Sequence, residues 1–347
     1  MPGSLRMTTL ATALATAICG TAAGNAAADD QTVLRLSNWL PTTHPIYSDI
    51  LVPWAASVET ETEGRVVIEF LPALGRPAAH FDLVRDGVAD IAMSVHAYTA
   101  DRFPTAYGVT LPGFADDSLT ASVAYWRTFE THFAQAGEFR DVKLLGLWVH
   151  GPAYVWTKDK AIDALEDLEG LRLRATGGIV QDIAERLDIV PQFAPASETY
   201  ELVARGVVDG VLFPMESVVS FRLEPILTDA LTIPGGLYRD SHYVIMNSAT
   251  FASLSAEDQA AIERVSGEAM ARLAGKAWDN ADAAARETLE AAGYTFTPAT
   301  PEIMAEVRRQ GDALEAEWIA RVETLGIDGS AALATYAEEI EKVSGAR

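Results

Sequence analysis

Cysteine is almost absent from this sequence, since Cys19 is the only one among 347 residues. That cysteine lies within residues 1–28, a segment that we expect to be cleaved off. The remaining chain would contain no cysteine at all, so small disulfide-stabilised scaffolds are excluded. An exported protein without disulfides must be stabilised by a large hydrophobic core, and this chain is long enough to build one.

Long hydrophobic runs are also missing. The longest candidate runs from Leu10 to Cys19, much shorter than the ~20 apolar residues that a membrane-spanning helix needs. Arg6 precedes this run, and Ala26-Ala27-Ala28 follows it as a small-residue cleavage site. This order of charge, apolar run and small residues predicts a cleaved secretory signal peptide over residues 1–28.

Positive charge is scarce, because 26 Lys and Arg residues stand against 49 Asp and Glu residues. The formal net charge is -23, and it becomes -24 when Arg6 is removed with the signal peptide. Nucleic acids and anionic membrane surfaces are bound mainly through Lys and Arg, so neither is expected as a partner. An anion-binding site would need a local positive charge against this background.

Motifs for catalysis and for cofactors are missing as well. The sequence contains no phosphate-binding or dinucleotide-binding glycine loop, no His-Glu-x-x-His and no Gly-x-Ser-x-Gly, and its six histidines lack ligand spacing. We therefore expect no cofactor, no metal site and no enzymatic activity. The alternative is an exported enzyme, which would require a nucleophile and a base within hydrogen-bond reach.

The residues that are present predict an α/β fold. Strands and helices alternate from Val33 to Val95 as β-α-β-α-β, which predicts parallel strands covered by helices. A second α/β set begins at Leu171 and ends at Pro214, and from Ser255 onward the chain is predicted to be almost wholly helical. Two such sets predict two lobes with a cleft between them, and ligands bind beyond the carboxyl ends of the strands.

Arg174 is the leading candidate for ligand binding. Alternation along the strand from Leu171 to Arg174 directs the two leucines to one face and Arg172 and Arg174 to the other. A guanidinium group holds a carboxylate through two parallel hydrogen bonds. The alternative interpretation is a surface arginine paired with Asp167 or Glu169.

Other candidates also follow strands. We predict that they line the pocket, and they are Asn38, Trp39, His96, Tyr98, Trp148, His150 and Phe213. Glu216 follows the turn at Phe213-Pro214 and has two interpretations. It either starts a short helix near Ser217 or faces a cationic group of the ligand.

The order of these segments resembles the solute-binding proteins of TRAP (tripartite ATP-independent periplasmic) transporters, the DctP-like family. The most specific segment is Asp167 to Arg174, which is similar to the family's "D-l-k-G-l-k-i-R" strand. The second is Glu198 to Gly210, similar to "e-v-Y-x-A-L-q-x-G-v-v-D-G". The resemblance covers the chain from about Val33 to its end.

The resemblance implies a two-lobed periplasmic-binding-protein clam with a helical C-terminal part. Such a protein closes on a small organic acid in the periplasm and delivers the acid to a membrane permease. It also implies that Arg174 clamps the ligand carboxylate. The family's usual Asn before Pro214 is Phe213 here, and Ala196 stands where a Phe is common, so the pocket is less polar than a sugar-acid site.

The expected boundaries follow from the predicted crossings between lobes. Lobe I comprises residues 29–153 and about 240–278, and lobe II comprises 154–239 and about 279–330. A C-terminal helix covers about 331–347. The expected protein is a monomer, and a zwitterion or a small amine held by Glu216 is the alternative ligand.

Overall fold

The protein was analysed as a computed structural model, which describes residues 1, 3 and 31–346. The predicted signal peptide therefore lies outside the described residues, apart from Met1 and Gly3. Among the described residues, no helix is both long and apolar enough to cross a membrane.

Eleven strands form within this described part of the chain. They are β1 (Thr32–Asn38), β2 (Val66–Pro72), β3 (Ile91–Val95), β4 (Val142–Val149), β5 (Ala153–Thr157), β6 (Arg172–Ala175), β7 (Val190–Phe193), β8 (Gly210–Pro214), β9 (Asp229–Thr232), β10 (Ser241–Asn247) and β11 (Thr295–Pro298).

Eleven α-helices accompany them in the same residues. They are α1 (Val52–Glu61), α2 (His80–Arg85), α3 (Ser118–Thr128), α4 (Ile179–Arg186), α5 (Thr199–Ala204), α6 (Met215–Ser220), α7 (Ser248–Ser253), α8 (Ala256–Arg264), α9 (Glu268–Ala291), α10 (Pro301–Glu323) and α11 (Gly329–Gly345).

The strands form two sheets. The first has the order β2-β1-β3-β10-β4, and the second has the order β11-β9-β5-β8-β6-β7. In the first sheet, the strands of the predicted β-α-β-α-β set pair in parallel, and in the second sheet β6 pairs in parallel with β7 and β8. Strands β10 in the first sheet and β5 in the second pair antiparallel with their neighbours. The predicted α/β class with two lobes and a helical C-terminal part is confirmed.

The chain passes between the sheets at two places on either side of the second set. Strand β4 of the first sheet is followed by β5 of the second, and β9 of the second sheet is followed by β10 of the first. Hydrogen bonds join the two crossings, because the His150 N–H donates to the Asp240 carbonyl at 3.1 Å. The exact lobe boundaries stay a prediction.

Helix α9 makes a third connection, since it packs on α3 and β4 of the first lobe and on α6 of the second. It passes so close to the first crossing that a Cβ atom on Gly151 would lie 1.7 Å from an Asp282 carboxylate oxygen. Only glycine fits at that position.

Three of the strands were not expected from the sequence. Strand β7 is a short edge strand containing Pro191, and Val190 and Phe193 at its ends are about half exposed. Proline has no N–H to donate within a sheet and is confined to such edges, so the sequence of this segment predicts a loop instead of a strand. Strands β9 and β11 have only four residues each, and β11 interrupts the C-terminal part that was predicted to be helical.

Candidate functional site

Arg172 and Arg174 lie on the same strand but in different surroundings. Arg172 is about half exposed and forms an ion pair with Asp209, with an N–O distance of 2.6 Å. Arg174 has no exposed surface. The difference follows from strand position: Arg172 begins β6, whereas Arg174 lies near its carboxyl end, between β7 and β8.

The guanidinium of Arg174 is only partly used by the protein. Its Nε–H donates to the Ala194 carbonyl at 2.9 Å, and its Cζ lies 4.5 Å from the centre of the Phe213 ring. Its two terminal amino groups are buried and have no hydrogen-bond partner among the described residues. Unsatisfied buried donors are costly, so this pair of amino groups is well suited to a bidentate anion such as a carboxylate.

The amino groups of Arg174 lie at a cavity between the two lobes. Its volume is about 40 Å³, below the roughly 300–1,000 Å³ of typical small-molecule sites, so a ligand needs the lobes to move apart before it enters. The lining residues are Trp39, Leu40, His44, Ile46, Val95, Tyr98, His150, Arg174, Thr176, Ala196, Phe213, Pro214, Ser217, Phe221, Tyr238, Asp240, His242 and Trp278. We call this space the Arg174 cavity.

Much of its wall is aromatic. Phe213 and Phe221 stack with ring centres 5.7 Å apart, and Trp39 meets Tyr98 edge to face at 5.9 Å. Trp39 is held by its indole N–H, which donates to the Met93 carbonyl at 3.1 Å. A flat apolar group therefore finds aromatic contacts beside a single buried cation.

Asp240 is the acidic group of the Arg174 cavity. Its carboxylate accepts a hydrogen bond from the Thr176 hydroxyl at 2.8 Å. Burial raises the pKa of the Asp240 carboxyl to about 7, and the Thr176 hydrogen bond and the charge of Arg174 oppose this rise. Asp240 is therefore divided between its neutral and ionised forms near neutral pH.

His150 is neutral, and its hydrogen bonds fix its tautomer. The Asp240 N–H donates to Nε2 of His150 at 2.8 Å, so Nε2 is the acceptor. Nδ1 consequently carries the proton and donates to the Gly151 carbonyl at 2.6 Å. Burial lowers the pKa of His150 to about 3, in agreement with a neutral ring. The cavity therefore has no second cation at this position.

The structure brings together five of the nine predicted residues. Trp39, Tyr98, His150, Arg174 and Phe213 all line the Arg174 cavity. Tyr98 is fixed by the Ala196 N–H, which donates to its hydroxyl oxygen at 3.0 Å. That these residues contact a ligand stays a prediction.

Three predicted residues lie elsewhere. The Asn38 side chain is used locally, since it donates to and accepts from the backbone of Leu40. His96 packs among aromatic rings and lines a separate cavity next to Asp240. Trp148 is fully buried and stacks on His242 at 5.4 Å, behind the wall. The geometry gives no support to ligand contact by these three.

Glu216 also points away from the Arg174 cavity. It lies in the first turn of α6, and its carboxylate accepts from the hydroxyls of Ser217 and Ser220. Burial raises the pKa of Glu216 to about 7. Ser217 also belongs to the cavity wall, and a second wall residue, His44, places its Nε2 3.9 Å from the carboxylate. The predicted contact with a ligand cation has no geometric support.

Sequence patterns missed part of the wall. His44 and His242 were not among the predicted pocket residues, and both line the cavity. Asp240 received no role, although it lies in the predicted second crossing. The available signal was position, because residues at lobe crossings border an interlobe cleft. The described residues contain no group of three or more His, Cys, Asp or Glu that would hold a metal ion.

Two α/β lobes with a cavity between them are the architecture expected of a solute receptor. Residues 36–321 match the family model of the bacterial extracellular solute-binding proteins, family 7. The chain belongs to this family and is a TRAP-type solute-binding protein, as its resemblance predicted.

Individual relatives agree with this assignment. A TRAP periplasmic solute-binding protein from Bordetella bronchiseptica, solved with bound (R)-mandelate and (S)-mandelate, is 42% identical with a TM-score of 0.88, covering 90% of this chain and 99% of that one. A marine metagenome TRAP protein from an unidentified microbe, specific for aromatic acid ligands and solved with metahydroxyphenylacetate, is 31% identical with a TM-score of 0.84, over 90% and 99% of the chains. The outer membrane transporter protein TsaT of Comamonas testosteroni is 30% identical over 90% of this chain and 92% of its own.

Proposed function

We propose that this protein is the periplasmic receptor of a TRAP transporter for an aromatic monocarboxylic acid. The ligand carboxylate pairs with the two terminal amino groups of Arg174. The aromatic ring lies against Phe213, Phe221 and Trp39. The closed receptor then delivers the acid to the membrane permease, and it catalyses no reaction on it.

The observation that carries this proposal is the unpaired buried guanidinium in an aromatic cavity. Both terminal amino groups of Arg174 lack partners within residues 31–346, and the residue has no exposed surface. A cation in this state gains most from an anion that offers two oxygen atoms in one plane. The aromatic acids bound by the relatives have such a carboxylate and a flat apolar body.

The choice of acid over amine also follows from the cavity. Glu216, the acid that would have held a cation, does not line the cavity, and its carboxylate accepts from the hydroxyls of Ser217 and Ser220. His150 is neutral, so Arg174 is the group whose charge remains to be matched. A ligand cation would have to rely on Asp240, the acid that does line the cavity.

Isothermal titration calorimetry with benzoate, phenylacetate and mandelate tests the proposal. Arg174→Ala should weaken binding about 30- to 5,000-fold, since truncating one partner of a buried charge pair costs about 2–5 kcal/mol. Arg174→Lys should recover little, because lysine keeps the charge but loses the planar fork.

Arg172→Ala is the matched control, because it removes an arginine two residues away that is paired with Asp209 at the surface. It should leave affinity within about twofold, as expected for an exposed ion pair. Wild-type affinity in folded Arg174→Ala, or equal losses in the two variants, would refute the proposal. Recovery of chemically unchanged ligand after denaturation checks that no reaction occurs.

A further inference from the structure

We propose that Asp240 is a specificity-determining residue that recognises a hydroxyl group on the carbon next to the ligand carboxylate. The Arg174 cavity would then prefer aromatic 2-hydroxy acids to the same acids without the hydroxyl. This inference rests on the proposed function, because it takes Arg174 as the partner of the carboxylate.

The position of Asp240 follows from strand β6. Arg174 and Thr176 are two residues apart, so their side chains leave the same face of the extended chain, about 7 Å from each other. The Thr176 hydroxyl donates to one carboxylate oxygen of Asp240 at 2.8 Å. Asp240 lines the Arg174 cavity together with Arg174 and Thr176, and it also borders the neighbouring cavity that His96 lines. A carbon next to a carboxylate clamped by Arg174 can therefore come near Asp240.

Arg174 and Asp240 both line the Arg174 cavity, close enough for their charges to interact. The positive charge of Arg174 lowers the pKa of Asp240, against the larger effect of burial. No ion pair forms between them, so each keeps capacity for a ligand group.

The second oxygen of Asp240 is available to accept a hydrogen bond from a ligand. Asp240 is only 5% exposed, and within the described residues its carboxylate accepts a single hydrogen bond, from Thr176. Buried carboxylate oxygens are normally hydrogen-bonded. A ligand hydroxyl has a single hydrogen to donate, and it can donate that hydrogen to this oxygen.

An ammonium group fits this position less well. It carries three donors that all need acceptors. Beside Asp240, the Thr176 hydroxyl already donates to the carboxylate, and Nε2 of His150 already accepts from the Asp240 N–H. An ammonium would also bring a second positive charge next to Arg174. These arguments favour a hydroxyl over an amine.

The experiment compares three probes that differ in one group: mandelate, phenylacetate and phenylglycine. Calorimetry at pH 8 measures the dissociation constant of each with wild type, Asp240→Ala and Asp240→Asn. Wild type should bind mandelate at least about tenfold more tightly than phenylacetate, the usual effect of a hydrogen bond to a charged group. The preference should fall below about threefold in Asp240→Ala and be intermediate in Asp240→Asn, which keeps an acceptor oxygen.

Asp182→Ala is the control, because Asp182 accepts from the Tyr107 hydroxyl at 2.7 Å and lines the neighbouring cavity instead. It should keep the wild-type preference. If Asp240→Ala does not fold, Asp240→Asn alone decides, and an unchanged preference in it overturns the proposal.

Three other results would overturn it: no preference for mandelate in wild type, an unchanged preference in folded Asp240→Ala, or tighter binding of phenylglycine than of mandelate. Failure of the proposed function is recognised separately, since phenylacetate affinity would then survive Arg174→Ala.

Discussion

The two sheets contain the same β-α-β-α-β unit. The first unit runs from β1 to β3 and the second from β6 to β8, and the strand orders β2-β1-β3 and β7-β6-β8 correspond. The framework is repeated in detail. Arg35 Nε donates to Asp90 at 3.1 Å and Arg172 Nε donates to Asp209 at 3.1 Å. Each aspartate N–H in turn donates to the carbonyl of its arginine.

The units differ where the strands end. Ser37 lies two residues after Arg35, and Arg174 lies two residues after Arg172. Likewise, Ser94 in β3 corresponds to Phe213 in β8, since each lies four residues after its aspartate. The first unit thus has Ser37 and Ser94 where the second has Arg174 and Phe213. In the second unit, the Cζ atom of Arg174 lies 4.5 Å from the centre of the Phe213 ring.

The serines are satisfied within the protein, whereas the arginine is not. Ser37 lies 3.1 Å from His80 Nε2 and accepts from the Leu74 N–H, and Ser94 donates to the Pro77 carbonyl at 2.8 Å. The same strand framework therefore carries hydrogen-bonded side chains in the first lobe, whereas in the second lobe it carries donors that remain available to a ligand. Four pairs of substitutions, one member in each unit, test this comparison.

The largest changes in the free energy of unfolding, and the most similar in size, are expected for one buried leucine in each unit. Leu36 and Leu173 occupy the same place in the two units, and both are fully buried. Leu36→Ala and Leu173→Ala should each lower the free energy of unfolding by about 2–5 kcal/mol, through lost burial and the cavity left behind. Urea denaturation measures both. A large loss from one and almost none from the other would show that the units are not equivalent in packing.

Replacing Arg174 and Ser37, which occupy corresponding positions, should change the free energy of unfolding in opposite directions. Arg174→Met should raise the free energy of unfolding of the ligand-free protein by about 1–3 kcal/mol, because it removes a buried charge with unpaired donors. Ser37→Ala should lower it by about 1 kcal/mol, because His80 and the Leu74 N–H lose a partner. Thermal denaturation without ligand decides, and destabilisation by Arg174→Met would contradict the contrast.

Hydrophobic alternation was enough to predict most of the fold. Strands β3 and β4 begin and end at the predicted residues, because both are apolar runs between clear turn signals. The same method found the second unit but not that it repeats the first. The repetition lies in strand order and in two Arg–Asp pairs 55 and 37 residues apart, which local patterns do not reveal.

The candidate site was predictable only in part. Arg174 and Phe213 follow from strand ends and from the family resemblance. Asp240 and His242 were missed as parts of the wall because they lie in a crossing, where the side chains follow no period. His96 and Trp148 also lie at strand ends, but their side chains pack into the lobe, which only tertiary contacts decide.

A smaller contrast is expected in the response to pH. After β3 the chain places His96, whose pKa burial lowers to about 3, and after β8 it places Glu216, whose pKa burial raises to about 7. The unfolded values are about 6.5 and 4.3. His96 therefore costs stability as pH falls below about 6.5, and Glu216 costs stability as pH rises from about 4 through 7.

Matched variants separate these two contributions. Glu216→Gln should flatten the fall in the free energy of unfolding between pH 5 and 7 by about 1–2 kcal/mol, within the limit of about 1.4 kcal/mol per pH unit for one proton. His96→Gln should flatten only the fall on the acid side of pH 6. Urea denaturation across pH measures both limbs. An unchanged alkaline limb in Glu216→Gln would show that this carboxyl is ionised in the folded protein.

The smallest difference is expected between the two framework aspartates. Asp90 keeps 13% of its side-chain surface exposed and Asp209 keeps 38%, while their arginines are equally exposed at 49%. Solvent screens the more exposed pair more strongly. Asp90→Asn should therefore cost more stability than Asp209→Asn, and each should cost no more than about 1 kcal/mol. The exposed Glu169→Gln serves as a control for loss of one negative charge.

Since the Arg172 hydrogen bond lowers the pKa of Asp209, the contribution of Asp209 to stability should disappear as pH falls below about 4. Urea denaturation at pH 7 and pH 3 measures this, and equal losses at both pH values would show that the two aspartates act through geometry rather than charge.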